Sequence, residues 1–434
     1  MMRSGRKWRN WSGIVEATPR DVYYPSTIEE IADIVRRCRR EGRQLRVVGS
    51  GHSFTAAAAS DDLLLSLDRM QGIVSVDEAA STVTVWAGTK LKLLGELLHA
   101  EGYAQENLGD IDVQSIAGAI STGTHGTGIA FGTLATQVVG MTVIAGTGDV
   151  ISCTDASHPE LFRALQVSIG SLGVIAQVTL RLRPSYKLKY ESARVPLTEC
   201  LDRLTELKTA HRNFEFYWFP YAEPCQLKIM NETDEAITSR KVRDYVSDVL
   251  LENAVFGALS GLARRVPPLS GAVSRLCAAA VPTSRKVEQS HRIYATTRLV
   301  RFNEMEYNIP ANAMADVIRE MRETMARERY RVHFPIECRY VQADDIWLSP
   351  AYGRDSAYIA VHMYRGMPYE RYFADMEKIF LRYGGRPHWG KLHTLDADQL
   401  SMAYPMWEKF GRVRDEMDPD GVLLNGYLRR VLGR

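Results

Sequence analysis

The stretch RVVGSGHSF, Arg46 to Phe54, follows a short apolar run and closes it with two glycines, two serines and a histidine. Glycine allows positive φ and close backbone approach, and successive amides in such a turn can point at an anion. The dinucleotide fingerprint G-x-G-x-x-G fails here, because Phe54 stands where the third glycine belongs. No P-loop lysine motif occurs either. The turn reads as a phosphate nest, a metal or catalytic histidine site, or a tight turn that His52 merely caps.

A second run narrows this. GAISTGTHGTG, Gly118 to Gly128, holds four glycines, three threonines, a serine and His125. Two such runs about seventy residues apart predict a long anionic ligand cradled by backbone. The bland alternative is a pair of glycine hairpins holding a sheet together.

Around these runs the first 185 residues read as an α+β domain. YPSTIEEIADIVRRCRREG carries a Thr27/Glu30 capping box, an apolar face and Gly42 as the helix stop. QLRVVG and LLLSL (63–67) read as strands, and GIVSVDEAASTVTVWAG and VVGMTVIAGTGDVISC as hairpins. KLKLLGELLHAEG (90–102) is a second amphipathic helix, and 161–184 a helix, glycine turn and strand. Beyond Pro184, NFEFYWFPY and CQLKIM form an antiparallel pair, 232–290 is helix and loop, and strands alternate with helices over 311–327 and 368–382. These predict a second, largely antiparallel domain over 186–390. The tail, 391–434, is expected to pack back on the first domain.

Bulk properties exclude several classes. The 434-residue chain is 45% hydrophobic with net charge +2, which argues against nucleic acid as partner. No apolar run is long enough to span a membrane, and the basic N-terminus lacks the apolar stretch of a signal peptide. The apolar stretch 253–282 is broken by Arg264, Arg265, Arg275 and prolines, so packed helices are favoured over a membrane or partner surface. Six cysteines without CxxC spacing fit a reducing, cytoplasmic location. Oligomeric state is not legible.

Further charged motifs stand near the C-terminus. FPIECRYV sets Glu337 and Arg339 two apart on a strand, hence on one face, as a site or a surface pair. GRPHWGKLHT gathers His388, Trp389, Lys391 and His393, but no carboxylate at ligand spacing accompanies them and no metal site is expected. His362, alone on a strand, reads as structural.

Taken together, VVGSGHSF, SIAGAISTGTHGTG, SLGVIAQVTL, WLSPAYGRD and RPHWGK resemble the aldonolactone and alditol oxidases, vanillyl-alcohol-oxidase-type flavoproteins. NLGD, Asn107 to Asp110, leans toward the gulonolactone branch. The resemblance implies an α+β fold: a two-subdomain FAD-binding domain plus a cap domain with a mainly antiparallel sheet and flanking helices. It implies FAD joined covalently to His52. Val48, Gly49, Ser50, Gly51 and Ser53 would lie on one side of the cofactor. Gly109, Gly118, Ser121, Thr122, Gly123, Thr124, His125, Gly128 and Ile175 would complete its site. Glu337, Arg339 and Lys391 would be catalytic; Asp110, His362, Tyr364 and His388 would meet the substrate. The implied reaction is hydride transfer from C2 of a sugar lactone to flavin N5, with a polyol substrate as the alternative. Gly109 beside the flavin edge implies access for molecular oxygen and hydrogen peroxide as product, with a cytochrome- or dye-linked dehydrogenase as the other outcome.

Overall fold

A computed structural model describes residues 7–238, 252–296 and 298–434. The basic start, residues 1–6, and the 239–251 part of the segment read as helix and loop lie outside the described residues.

The fold is mixed α+β. A three-stranded parallel sheet has the order Asp21–Tyr23, Leu63–Ser66, Leu45–Val48. Helix Ile28–Glu41 makes the crossover between its first and last strands. Thr27 caps that helix by accepting from the Glu30 amide at 3.2 Å, and Gly42 ends it at φ +63°. The expected capping box is corrected in one half: the Glu30 carboxylate accepts from the Ser26 amide instead of the Thr27 amide. A full box forms at Asp396 and Gln399, where the sequence reading had none. Strands Ile73–Asp77, Thr82–Trp86, Val138–Ile144, Val150–Thr154 and Val174–Arg181 build a five-stranded antiparallel sheet. Loop 49–53 leaves the parallel sheet, and helix Ile116–Ser121 opens the second glycine run.

The second half is dominated by one eight-stranded antiparallel sheet. Its central strands run Asn213–Trp218, Ile336–Val341, Ser356–Tyr364, Phe302–Pro310. Strand Arg285–Gln289, on one edge, falls inside the segment read as helix and loop. Helices Met314–Glu328 and Glu370–Arg382 turn apolar faces to this sheet.

Period-2 alternation sorts these strands cleanly. Met305, Tyr307, Ile309, Ile336, Cys338, Tyr340, Ile359 and Val361 enter the apolar core under the helices. Glu304, Glu306, Glu337, Arg339 and His362 therefore share the opposite face. A separate large core joins the two smaller sheets and includes Leu395 through Leu432. Arg46 ties that tail to the glycine loops: its buried guanidinium donates to the carbonyls of Ala57, Ile169, Gly170 and Leu423. Among the described residues no helix is long and apolar enough to cross a membrane. All six cysteines are buried and free.

Candidate active site

Two chambers meet at His52. The narrow one is walled by the 46–53 loop, Ala87, Gly88, Ser115, Gly118, Ser121, Gly170 and Ile175. Its walls are glycine-rich because side chains would not fit: a Cβ on Gly49 would stand 2.5 Å from Ser115 Oγ, and one on Gly88 would stand 2.0 Å from Leu67 O. Gly51 also takes φ +68°. The wider chamber, about 460 Å³, is lined by Asp110, Thr124, His125, Arg298, Glu304, Glu306, Arg339, His388 and Lys391 among others. Ser50, His52, Ser53, Gln114 and Thr122 line both. A backbone-walled trough leading into a charged chamber fits FAD, whose pyrophosphate needs amide donors and whose ring needs polar groups around it.

The charged face of the large sheet forms one wall of the wide chamber. Register explains the spacing: Tyr217, Glu337, Ala360 and Glu306 form one rung across four strands, and Glu215, Arg339, Tyr358 and Asn308 the next. The small Ala360 separates the two carboxylates. Arg339 is clamped by Glu215 at 2.9 Å, Asp110 at 3.0 Å and its strand neighbour Glu337. Arg298 pairs with Asp110 and lies 3.7 Å from Glu337. Lys391 Nζ lies 2.5 Å from Glu304 and 3.9 Å from Glu306. His362 donates to Pro335 O at 2.8 Å, with its other nitrogen 3.4 Å from Glu304.

Electrostatics fix most of these charges. Burial alone would raise Asp110, but Arg298, Arg339 and Lys391 hold it well below the usual carboxylate range. Burial is likewise outweighed at Glu304 by Lys391 and His362, and at Glu306 by His125 and Lys391. Burial opposes the Arg339 charge, yet Asp110 and Glu215 keep it firmly cationic. His52 is pushed down to about 4, first by burial and then by Lys391, Arg298 and Lys90, so its ring is neutral near pH 7. Burial pushes His388 down to about 3. His125 stacks on Tyr358 with ring centres 3.7 Å apart. Its Nδ1 donates to Gly126 O at 2.8 Å, and its Nε2 lies 3.1 Å from Glu306. His125, Glu306 and His388 bring three metal-ligating atoms within 4.8 Å of one another. Hydrogen bonds already engage that trio, since His388 Nδ1 accepts from the Gly390 amide at 3.0 Å.

The structure gathers most sequence-derived candidates. Val48, Gly49, Ser50, Gly51, His52, Ser53, Gly118, Ser121, Thr122 and Ile175 line the narrow chamber. Gly109, Asp110, Thr124, His125, Arg339, His388 and Lys391 line the wide one. Glu337 and His362 reach the charged network from a neighbouring cavity. Three are not brought in. Gly123 and Gly128 serve as positive-φ turns, with Gly128 bridging to Val341. Tyr364 packs among aromatics, its ring stacked on Phe334 at 6.1 Å. Sequence reasoning missed Arg298, Glu304, Glu306 and Glu215. The signal for the glutamates at 304 and 306 was present: E-M-E-Y on a strand whose intervening residues are apolar.

Comparison with known proteins adds independent findings. The D-arabinono-1,4-lactone oxidase family model matches residues 178–431, and an FAD binding domain model matches residues 19–154. The chain is 38% identical to L-gulono-1,4-lactone dehydrogenase of Mycobacterium tuberculosis, covering 98% of this chain and 99% of that one. It is 33% identical to L-gulonolactone oxidase of Scyliorhinus torazame, covering 98% of each. D-arabinono-1,4-lactone oxidase of Kluyveromyces lactis is 26% identical over 99% of this chain and 91% of its own. Cholesterol oxidase from Brevibacterium sterolicum superposes with TM-score 0.82 at 17% identity, over 100% of this chain and 97% of that one, which is a likeness of fold.

Proposed function

This chain belongs to the FAD-linked aldonolactone oxidase and dehydrogenase family, and we propose from that membership that it oxidises C2 of an aldonolactone of the L-gulono-1,4-lactone type. The product is ascorbate-like, and oxygen is the electron acceptor, leaving as hydrogen peroxide. The observation that carries the reading is the buried charged network facing the same chamber as His52.

A sugar lactone presents several hydroxyls, and a buried site must give each a partner. Asp110, Glu304 and Glu306 accept from hydroxyls; Arg298, Arg339 and Lys391 donate to lactone and hydroxyl oxygens. The bound flavin supplies the acceptor for the hydride that leaves C2. The protein must remove the hydroxyl proton and steady the charge that develops. We assign proton removal to the Glu304 carboxylate, the acceptor of the pair, with Lys391 holding it in place at 2.5 Å, and charge stabilisation to Arg339. Glu337 orients Arg339. Neutral His52 is the flavin anchor in this reading, since an unprotonated ring nitrogen is the nucleophile that covalent attachment needs.

Gly109 lines the chamber without a side chain, which favours oxygen as acceptor. The second reading is a dehydrogenase, favoured by the name of the 38%-identical relative. An oxygen electrode separates them: uptake with L-gulono-1,4-lactone, and peroxide formed mole for mole, is expected. Dye reduction without oxygen uptake would establish the dehydrogenase instead. Faster turnover of xylitol than of the lactone would overturn the lactone assignment.

A further inference from the structure

Behind the charged network lies a second cavity, about 620 Å³, whose character is opposite. Val255, Phe256, Leu259, Val281, Val300 and Phe334 make its walls. Tyr217, Lys228, Arg298, Glu337 and His362 also line it. Val255 is half exposed, so the cavity opens to solvent between helix Glu252–Arg265 and the end of helix Ser270–Ala280. The lactone reaction uses none of these apolar walls. A polyhydroxylated ring there would leave its hydroxyls facing hydrocarbon.

Three residues are common to this cavity and the catalytic chamber: Thr296, Arg298 and Phe302. The Phe302 ring lies 5.1 Å from Trp11, and Trp11 stacks on His52 at 5.6 Å. From the apolar cavity to the flavin anchor there are therefore two ring-to-ring steps. A flavin reaction has two halves, and the second needs an acceptor; this one would arrive by a route separate from the lactone.

We propose that the apolar cavity binds a second substrate, a quinone-type electron acceptor, at a place distinct from the lactone site. The proposal rests on the flavin reading above and adds a second acceptor, which takes the electrons in place of oxygen when a quinone occupies the cavity. Apolar walls take the quinone's ring and substituents. Its carbonyl oxygens, which only accept hydrogen bonds, meet the donors of Tyr217, Lys228 and Arg298. The balance closes: lactone C2–OH gives up two electrons and two protons, the flavin carries the electron pair, and the quinone takes up two electrons and two protons to become a hydroquinone with two O–H groups.

Equilibrium dialysis of menadione against the holoenzyme tests this without turnover. Binding that saturating L-gulono-1,4-lactone does not displace is expected. Val281→Trp fills the cavity and Leu259→Glu places a charge in it. Each should weaken menadione binding at least tenfold while ferricyanide-supported lactone oxidation stays within twofold. Displacement by lactone would put menadione in the catalytic chamber and overturn the proposal, as would unchanged binding in both variants. If one variant fails to fold, the other decides. Cavity-dependent binding in an enzyme that oxidises no lactone with any acceptor would support the cavity assignment and overturn the lactone reading alone.

Discussion

Lys391 sits 2.5 Å from one buried carboxylate and within 4 Å of another. Its replacement therefore tests the proton-removal assignment. Lys391→Met should lower kcat/KM for the lactone by roughly 10²–10⁴-fold. The protein should remain folded and yellow, as its visible spectrum would report. Retained turnover would show that proton removal does not depend on Lys391. His52 makes a separate claim. His52→Ala should still bind FAD, through the narrow chamber, but acid precipitation should leave the colour in the supernatant. Wild-type colour should stay in the pellet. Colour lost to the supernatant in both proteins would refute covalent attachment.

At the level of elements, what could be read beforehand depended on how local the signal was. The glycine loops announce themselves because their requirement is local: positive φ at Gly51 and no space for a Cβ at Gly49. Glu337 and Arg339 were visible as neighbours on one strand face. Arg298 was not, because its meaning comes from Asp110, 188 residues away in sequence. Glu304 and Glu306 sat in plain alternation, but only the pairing Glu304–His362 and Glu306–Ala360 gives them a site to face. Tyr364 misled for the same reason. It shares a strand face with His362, yet it lies at the strand's end, where aromatic packing with Phe334 claims it. Helix ends behaved alike: the Asp396 box was legible in principle, and its worth can be measured. Asp396→Ala should cost about 0.5–2 kcal/mol, read from urea denaturation.

On the scale of the whole molecule, acid should loosen the fold well before carboxylates protonate. His291 and His333 are pushed down to about 4, and His388 and His393 to about 3, each chiefly by burial. Unfolding restores their ordinary value near 6.5. The unfolded chain thus binds more protons than the folded one between those values, and stability falls as pH drops from about 6.5 toward 4. Asp344, pushed up to about 7 by burial, and Asp112 and Asp418, raised for the same reason, act in the opposite sense, but with His52 the lowered histidines are five against these three. Thermal scans should show the midpoint falling by several degrees from pH 6.5 to 4.5. A midpoint that is flat over that range would contradict the burial of these rings.

The return of the C-terminal tail has an effect on how the molecule comes into being. Arg46, at the head of the first glycine loop, bonds to Leu423 O, the Leu45 amide donates to Val422 O at 2.8 Å, and Asn425 donates to Ala56 and Ala59. A nascent chain emerging from the ribosome must wait until residues 422–425 have been made before these partners arrive. Nonsense truncation after Asp418 should accordingly yield a colourless, insoluble product, even though both glycine loops of the narrow chamber have already been translated.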